Sequence, residues 1–288
     1  MILAVLAVLW ALAGPGRAEA TASEALAALR EAIETGDFQV AVALGERLVK
    51  SESESSEAHD LLGRAYGRTA ESTTPLSQIH LARKARAEFA RAVALDPANA
   101  EALADLTTYD MRAPVILHGS RTRAGQEAEQ LLRLDASRGH ELLGALAEGR
   151  DDVAAEKEYR LALEAAPSTP RARRALSGFL VRRKRFAEAD VLWRPLRERN
   201  AADPLAAYEL AGIALASGED LGAASEALEG SLKADAVGDP RRAEIHFRLG
   251  QVWSRLGRRT EARSNLSEAL RLEPHQRTWQ KELARIGR

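Results

Sequence analysis

The sequence predicts an all-α fold, a solenoid of about seven helix pairs closed by one further helix. Three observations carry this. Seven alanines, Ala41, Ala85, Ala124, Ala155, Ala189, Ala224 and Ala262, recur 44, 39, 31, 34, 35 and 38 residues apart. Around the last of them, Leu249, Gly250 and Trp253 fall at i, i+1 and i+4, and Ala262, Leu266 and Ala269 at i, i+4 and i+7, so each set lies on one helix face. No strand pattern is evident, and 45% hydrophobic content with only 5% aromatic fits an alanine-rich helical stack.

Walked in order, this register predicts pairs at about 24–49, 57–95, 100–135, 139–166, 171–199, 205–235 and 241–272, with a capping helix at 276–287. The first pair is the poorest, carrying Gly36, Phe38 and Ala41 but no Leu-Gly signal. Leu62-Gly63-x-x-Tyr66 and Leu143-Gly144 supply that signal in later first helices, while Phe89, Tyr159 and Trp193 fill the bulky second-helix position. Small residues at Gly250 and Ala262 let the two backbones approach, and Trp253 and Leu266 fill the space beside them. Gly257 breaks the chain between helices, and Pro97, Pro167 and Pro274 stop second helices. Trp279, Leu283 and Ile286, at i, i+4 and i+7, mark the capping helix over the last repeat.

The copy His246-x-x-Leu249-Gly250-x-x-Trp253, followed by Gly257, Ala262, Leu266, Ala269 and Pro274, resembles the tetratricopeptide repeat. The resemblance implies a right-handed α-solenoid that binds other molecules rather than transforming them. It also implies that first helices line a concave groove, through positions two before, one after and five after the slot held by His246. Carried over, these are Arg171, Arg174 and Gly178, then Ala206, Glu209 and Ile213, then Glu244, Phe247 and Gln251, with Arg255 further along the last of these helices.

Two segments depart from the repeat. Gly63 to Ala85 spans 22 steps and Thr107 to Ala124 spans 17, where the family has about 12. The first departure centres on Ala70–Ile79, read either as a loop that touches a partner or as a lengthened turn or extended helices. The second includes Met111–Ser120, where Pro114 ends a helix and Val115, Ile116 and Leu117 either fold back on the array or meet a partner. Ala113-Pro114-x-x-x-x-Gly119 is similar to an insertion in some exported bacterial members of the family, and implies no activity.

Ile2–Ala13 is apolar, Gly14-Pro15-Gly16 breaks it, and Ala18-Glu19-Ala20 offers small residues for a peptidase. Residues 1–20 therefore read as a secretory signal peptide and 21–288 as the repeat domain, giving a periplasmic or secreted protein with no stable membrane span after cleavage. The alternative is an inner-membrane anchor formed by an uncleaved N-terminal segment.

Composition narrows the chemistry. There is no cysteine, which excludes disulfides, thiol catalysis and cysteine-ligated metals. A net charge of −1 argues against nucleic acid. His59, His140 and His246 each lie four before Gly63, Gly144 and Gly250, and Tyr208 holds the same place before Gly212. That slot accepts a flat ring, so packing is expected rather than metal binding; no metal, cofactor or catalytic residue is assigned. Gly178 and Gly212 read as helix packing, and Asp151-Asp152 as a helix N-cap rather than a general acid and base.

Charge is unevenly spread. Glu19–Asp60 holds ten acids against three bases, and Ser168–Asn200 ten bases against three acids. The basic run is either solvated turn and helix C-terminus or a patch for an acidic partner. Arg171 and Arg174, one turn apart, are placed to clamp a carboxylate. The expected function is a non-enzymatic scaffold binding a protein or extended peptide, acidic by this charge, through Arg171, Arg174, Glu209, Ile213, Phe247, Gln251 and Arg255. Pro114, Val115, Ile116 and Leu117 are a second candidate contact. The alternative function is a solute-binding accessory of a transporter or polysaccharide system, holding a small anionic ligand. The heat-shock-chaperone clamp of some family members is not supported, because Gly178, Ile213 and Gln251 replace its asparagines.

Overall fold

A computed structural model describes residues 18–71, 73–234, 239–274 and 276–286. Residues 1–17 of the expected signal segment 1–20, and His275, lie outside them, while Ala18–Ala20 fall in the first described helix. Among the described residues there is no strand, and the helices form seven consecutive pairs plus a last single helix. The pairs are α1 (Ala18–Glu34) with α2 (Phe38–Ser51), α3 (Ser56–Ala70) with α4 (Pro75–Leu95), and α5 (Ala100–Arg112) with α6 (Arg121–Leu131). Then follow α7 (Ala136–Ala147) with α8 (Asp152–Ala165), α9 (Pro170–Arg182) with α10 (Phe186–Arg199), and α11 (Pro204–Ser217) with α12 (Leu221–Lys233). Last come α13 (Asp239–Arg255) with α14 (Arg259–Leu272), and α15 (Arg277–Ile286). The single run expected from the sequence is grouped into two compact units, one through Ala166 and one from Pro167.

Packing follows from the small residues. The seven recurring alanines are buried, and a Cβ at Gly63, Gly144 or Gly250 would sit 2.6 Å from Phe89, 2.9 Å from Tyr159 or 2.7 Å from Leu266. Each glycine thus lets a first helix rest on the bulky residue of its own second helix, and the expected approach of Gly250 to Ala262 is present too, the Ala262 carbonyl oxygen lying 3.2 Å from that Cβ position. In the fifth pair Ser177 occupies this place and accepts a hydrogen bond from the fully buried Trp193 Nε1 at 3.0 Å. Second helices α4, α8 and α14 stop at Leu95, Ala165 and Leu272, two residues before Pro97, Pro167 and Pro274. Starts are fixed by side-chain caps: Ser55, Asn99, Asp135, Asp151 and Asp203 each accept a backbone N–H three residues on. Asp151 takes the Ala154 amide at 2.9 Å and Asp152 the Gly149 amide at 3.0 Å, so both carboxylates serve the local turn.

The slot histidines repeat one contact. His59 Nδ1 donates to Glu88 at 2.6 Å and His140 Nδ1 to Glu158 at 2.7 Å, while His246 Nδ1 lies 2.9 Å from Asn265 Oδ1. Each partner stands three residues after a recurring alanine, so the slot ties first helix to second.

The two departures take different forms. At Ala70–Ile79 the extra residues become helix: α3 runs to Ala70, and α4 starts at Pro75 and continues for 21 residues. At Met111–Ser120, α5 ends before Pro114 and Val115–Leu117 forms one 3-10 turn. Its backbone folds back, yet Val115 and Ile116 face outward, 84% and 67% exposed.

Candidate peptide-binding groove

Within each unit the first helix of a pair also packs on the first helix of the next pair, whereas no two second helices make a comparable contact among the described residues. First helices are therefore the crowded, inner side, and their side chains line the inner face.

In the N-terminal unit that face is closed by its own charges. Arg64 on α3 donates to Asp105 at 2.5 Å and to Glu101 at 2.9 Å on α5, and pairs with Asp60 at 2.9 Å. Arg138 on α7 pairs with Glu101 and lies 3.5 Å from Asp105. Burial pushes Asp60 up to about 7, with Arg64 opposing and the charges of Asp105 and Glu101 adding to the rise. Asp60 Oδ1 is buried with no hydrogen-bond partner among the described residues.

The C-terminal unit separates the residues expected in the groove. Arg174 Nε donates to Glu209, so its guanidinium is engaged rather than open to a ligand. Arg171, one turn before it on α9, is half-buried. Phe247 stacks on Trp279 of α15, centroids 4.9 Å apart and rings 13° from parallel, and is thereby covered. Ile213 is 7% exposed and belongs to the core. Ala206 is buried as well. The cause is a one-residue shift in α11. Ala207, Ala211 and Ala214 pack against Ala224 and Leu228, so Ala207 rather than Tyr208 holds the ring slot. Alanine and leucine occupy every face of this helix, so its pattern does not define a register. Tyr208 and Gly212 consequently turn inward, and Gly212 is not the packing glycine it was expected to be.

The shift builds a site the sequence does not announce. A cleft of about 540 Å³ is lined by Gly212, Leu215 and Ala216 of α11, Arg248, Gln251, Ser254 and Arg255 of α13, and Glu282 and Arg285 of α15. The Arg248 guanidinium lies 4.2 Å from the Tyr208 ring centroid and donates to Gln251 at 3.3 Å. A Cβ at Gly212 would stand 3.6 Å from Arg248 Cζ, an ordinary contact, so this position lies against that arginine. Arg248 Nε is buried with no partner among the described residues. Arg285 is paired with Glu282 at 2.6 Å, whereas Arg255 is exposed at the rim. Gln251 and Arg255 are thus the expected groove residues that the structure brings together. The missed ones are Tyr208 and Arg248, whose available signal was Gly212 read with Tyr208 moved out of the slot. Arg248 and Arg255 have no carboxylate partner among the described residues, the lining Glu282 being taken by Arg285, and two such guanidiniums in a polar cleft suit a carboxylate held by paired N–H donors.

No protein-family model matches the chain, and no curated protein matches it. Among solved structures it is similar to a tetratricopeptide repeat protein from Parabacteroides merdae, with TM-score 0.56 and 14% identity, covering 93% of this chain and 99% of that one. It is also similar to yeast Tom70, with TM-score 0.62 and 17% identity over 88% of this chain and 51% of the other, so it spans about half of Tom70. The fold is that of a tetratricopeptide repeat array.

Proposed function

We propose that the chain is a non-enzymatic scaffold that holds a protein or extended peptide in the inner cleft of its C-terminal unit, with a carboxylate of the partner anchored by Arg248 and Arg255. The observation that carries this reading is Arg248, fixed over Tyr208 beside Gln251 in the cleft and paired with no carboxylate among the described residues. A bound carboxylate would accept from the terminal N–H groups of Arg248, and a charge-assisted bond in a partly desolvated cleft is worth more than one on open surface. The Arg171 and Arg174 clamp becomes secondary, since Glu209 already meets Arg174. The cell envelope is the proposed setting, periplasmic or secreted, on the strength of the apolar Ile2–Ala13 stretch; an uncleaved anchor in the inner membrane is the alternative.

Purified protein passed over envelope extract, beside an Arg248→Glu/Arg255→Glu variant, tests the reading. The wild type retains specific proteins and the variant releases them. Equal retention by both contradicts the site, and turnover of a substrate abolished by one point substitution contradicts the scaffold. A second reading, a solute-binding accessory for a small anionic ligand, is favoured by the cleft volume of about 540 Å³, which falls in the range of small-molecule sites. It predicts a raised melting temperature with one member of a metabolite library, a response the scaffold does not show.

A further inference from the structure

The four most exposed large apolar residues described are Leu76, Val115, Ile116 and Val153, at 83%, 84%, 67% and 83%. All belong to the N-terminal unit, and all lie at turns inside pairs: Leu76 and Val153 in the first turns of α4 and α8, Val115 and Ile116 between α5 and α6. In a stack of antiparallel pairs these turns share one edge. The two departures from the repeat therefore meet at the same edge, and Arg83 of the lengthened α4 donates to the Ile116 carbonyl at 3.1 Å.

The Val115–Leu117 turn is rigidly held. Tyr109 Oη donates to the Leu117 carbonyl at 2.9 Å, and the Ser120 amide to the Asp110 carbonyl at 2.8 Å. Arg123 also donates to the His118 carbonyl. Beneath it Asp110, fully buried, receives Arg86 at 2.8 and 3.1 Å and Arg123 at 2.8 and 3.3 Å. Against the upward push of burial, these bonds hold its carboxyl below the usual range. Gly119 closes the turn, since a Cβ there would stand 1.8 Å from the Ala113 carbonyl oxygen. This scaffolding does not bury Val115 and Ile116; it presents them.

Their surroundings are cationic. Pro75–Ala87 and Met111–Gln126 contain no acidic residue, and they carry Arg83, Arg112 and Arg121 beside Lys84, which pairs with Glu46, and the Arg86 and Arg123 that Asp110 neutralises. Arg112 is exposed and makes no ion pair among the described residues. Along the same edge Glu71 is paired with Arg68 at 3.2 Å, Asp151 and Asp152 accept backbone amides around the start of α8, and Glu34 and Asp37 at the turn of the first pair are exposed acids.

We propose that this edge of the N-terminal unit docks on an anionic lipid bilayer, with Val115 and Ile116 entering the boundary between headgroups and acyl chains, Leu76 beside them, and Arg83, Arg112 and Arg121 meeting lipid phosphates. A rigid convex tip of aliphatic side chains ringed by cations requires no matching pocket, and its apolar insertion and its charge attraction reinforce each other. The inference is independent of the cleft in the C-terminal unit.

The absence of cysteine allows a clean test. An environment-sensitive dye on Ile116→Cys, in the full chain, is compared with the same dye on Val191→Cys of the C-terminal unit. Vesicles of phosphatidylcholine with an equal part of phosphatidylglycerol should shift the Ile116→Cys emission to the blue and leave Val191→Cys unchanged. Pure phosphatidylcholine should give little shift, and Arg112→Glu should weaken the response by roughly tenfold. No shift at position 116, or equal shifts at both positions, overturns the proposal. So does a shift that appears without vesicles as protein concentration rises, which marks a second copy, or one given only by an acidic apolar peptide, which marks a protein partner.

Discussion

At the scale of single residues, the two carboxylates that burial raises to about 7 are Asp60 and Glu127. Asp60 faces Arg64, Asp105, Glu101 and Arg138, and Glu127 faces Asp110, Arg86, Arg123 and Thr107. Each has a buried oxygen with no partner among the described residues. A folded-state pKa above the unfolded one means the native protein binds more protons, so these groups contribute stability fully below about pH 4 that is lost as pH rises through about 7. Melting followed by circular dichroism should therefore give a higher Tm at pH 6 than at pH 8. Asp60→Asn and Glu127→Gln should each raise the pH 8 value by a few degrees, on the order of 1 kcal/mol, and together flatten the pH dependence. Unchanged pH profiles in both variants would remove the role assigned to these carboxylates.

Among the helices, α11 tests the register. Ala211 packs on α12 while Gly212 faces the open cleft, so Ala211→Leu should destabilise by about 1–3 kcal/mol. Gly212→Ala, whose new methyl meets only ordinary contacts, should stabilise by up to about 1 kcal/mol through helix propensity. Urea unfolding measures both, and the reverse order would restore Tyr208 to the slot. Most helix pairs were legible in the sequence because Leu62-Gly63, Leu143-Gly144 and Gly250 place small residues against bulky ones at a fixed spacing. The register of α11 was not, because Leu205, Ala206, Ala207, Leu210 and Ala211 leave no polar face to orient the helix. The histidine partners Glu88, Glu158 and Asn265 were equally hidden, since a lone carboxylate on a helix surface reads as solvated. In the second departure, Pro114 announced the helix end, but the buried Asp110 that organises the turn looked like any helical acid. The candidate site was half legible: Gln251 and Arg255 follow from the repeat register, whereas Arg248 and Tyr208 depend on the shift in α11.

For the molecule as a whole, neighbouring pairs share local cores rather than one centre, so damage should stay local. Trp279 covers Ala243, Ala269 and Phe247 at the C-terminal end. Trp279→Ala should lose about 3–5 kcal/mol of local stability, seen in hydrogen exchange as lost protection in α13 and α14 with the N-terminal unit unaffected. Equal loss in both units would mean the array unfolds as one. Charge divides in the same way: the inner face of the N-terminal unit is occupied by Asp60, Arg64, Glu101, Asp105 and Arg138, while the proposed cleft of the C-terminal unit keeps Arg248 and Arg255 without a carboxylate partner among the described residues. The most direct measurement is fluorescence anisotropy of a labelled peptide of alternating Asp and Leu with a free C-terminus, titrated with wild type, Arg248→Glu/Arg255→Glu and Arg171→Glu/Arg174→Glu. The cleft predicts at least a tenfold weaker Kd for the first variant and a smaller change for the second. Equal affinity for all three proteins, or a loss confined to the Arg171→Glu/Arg174→Glu variant, would contradict it.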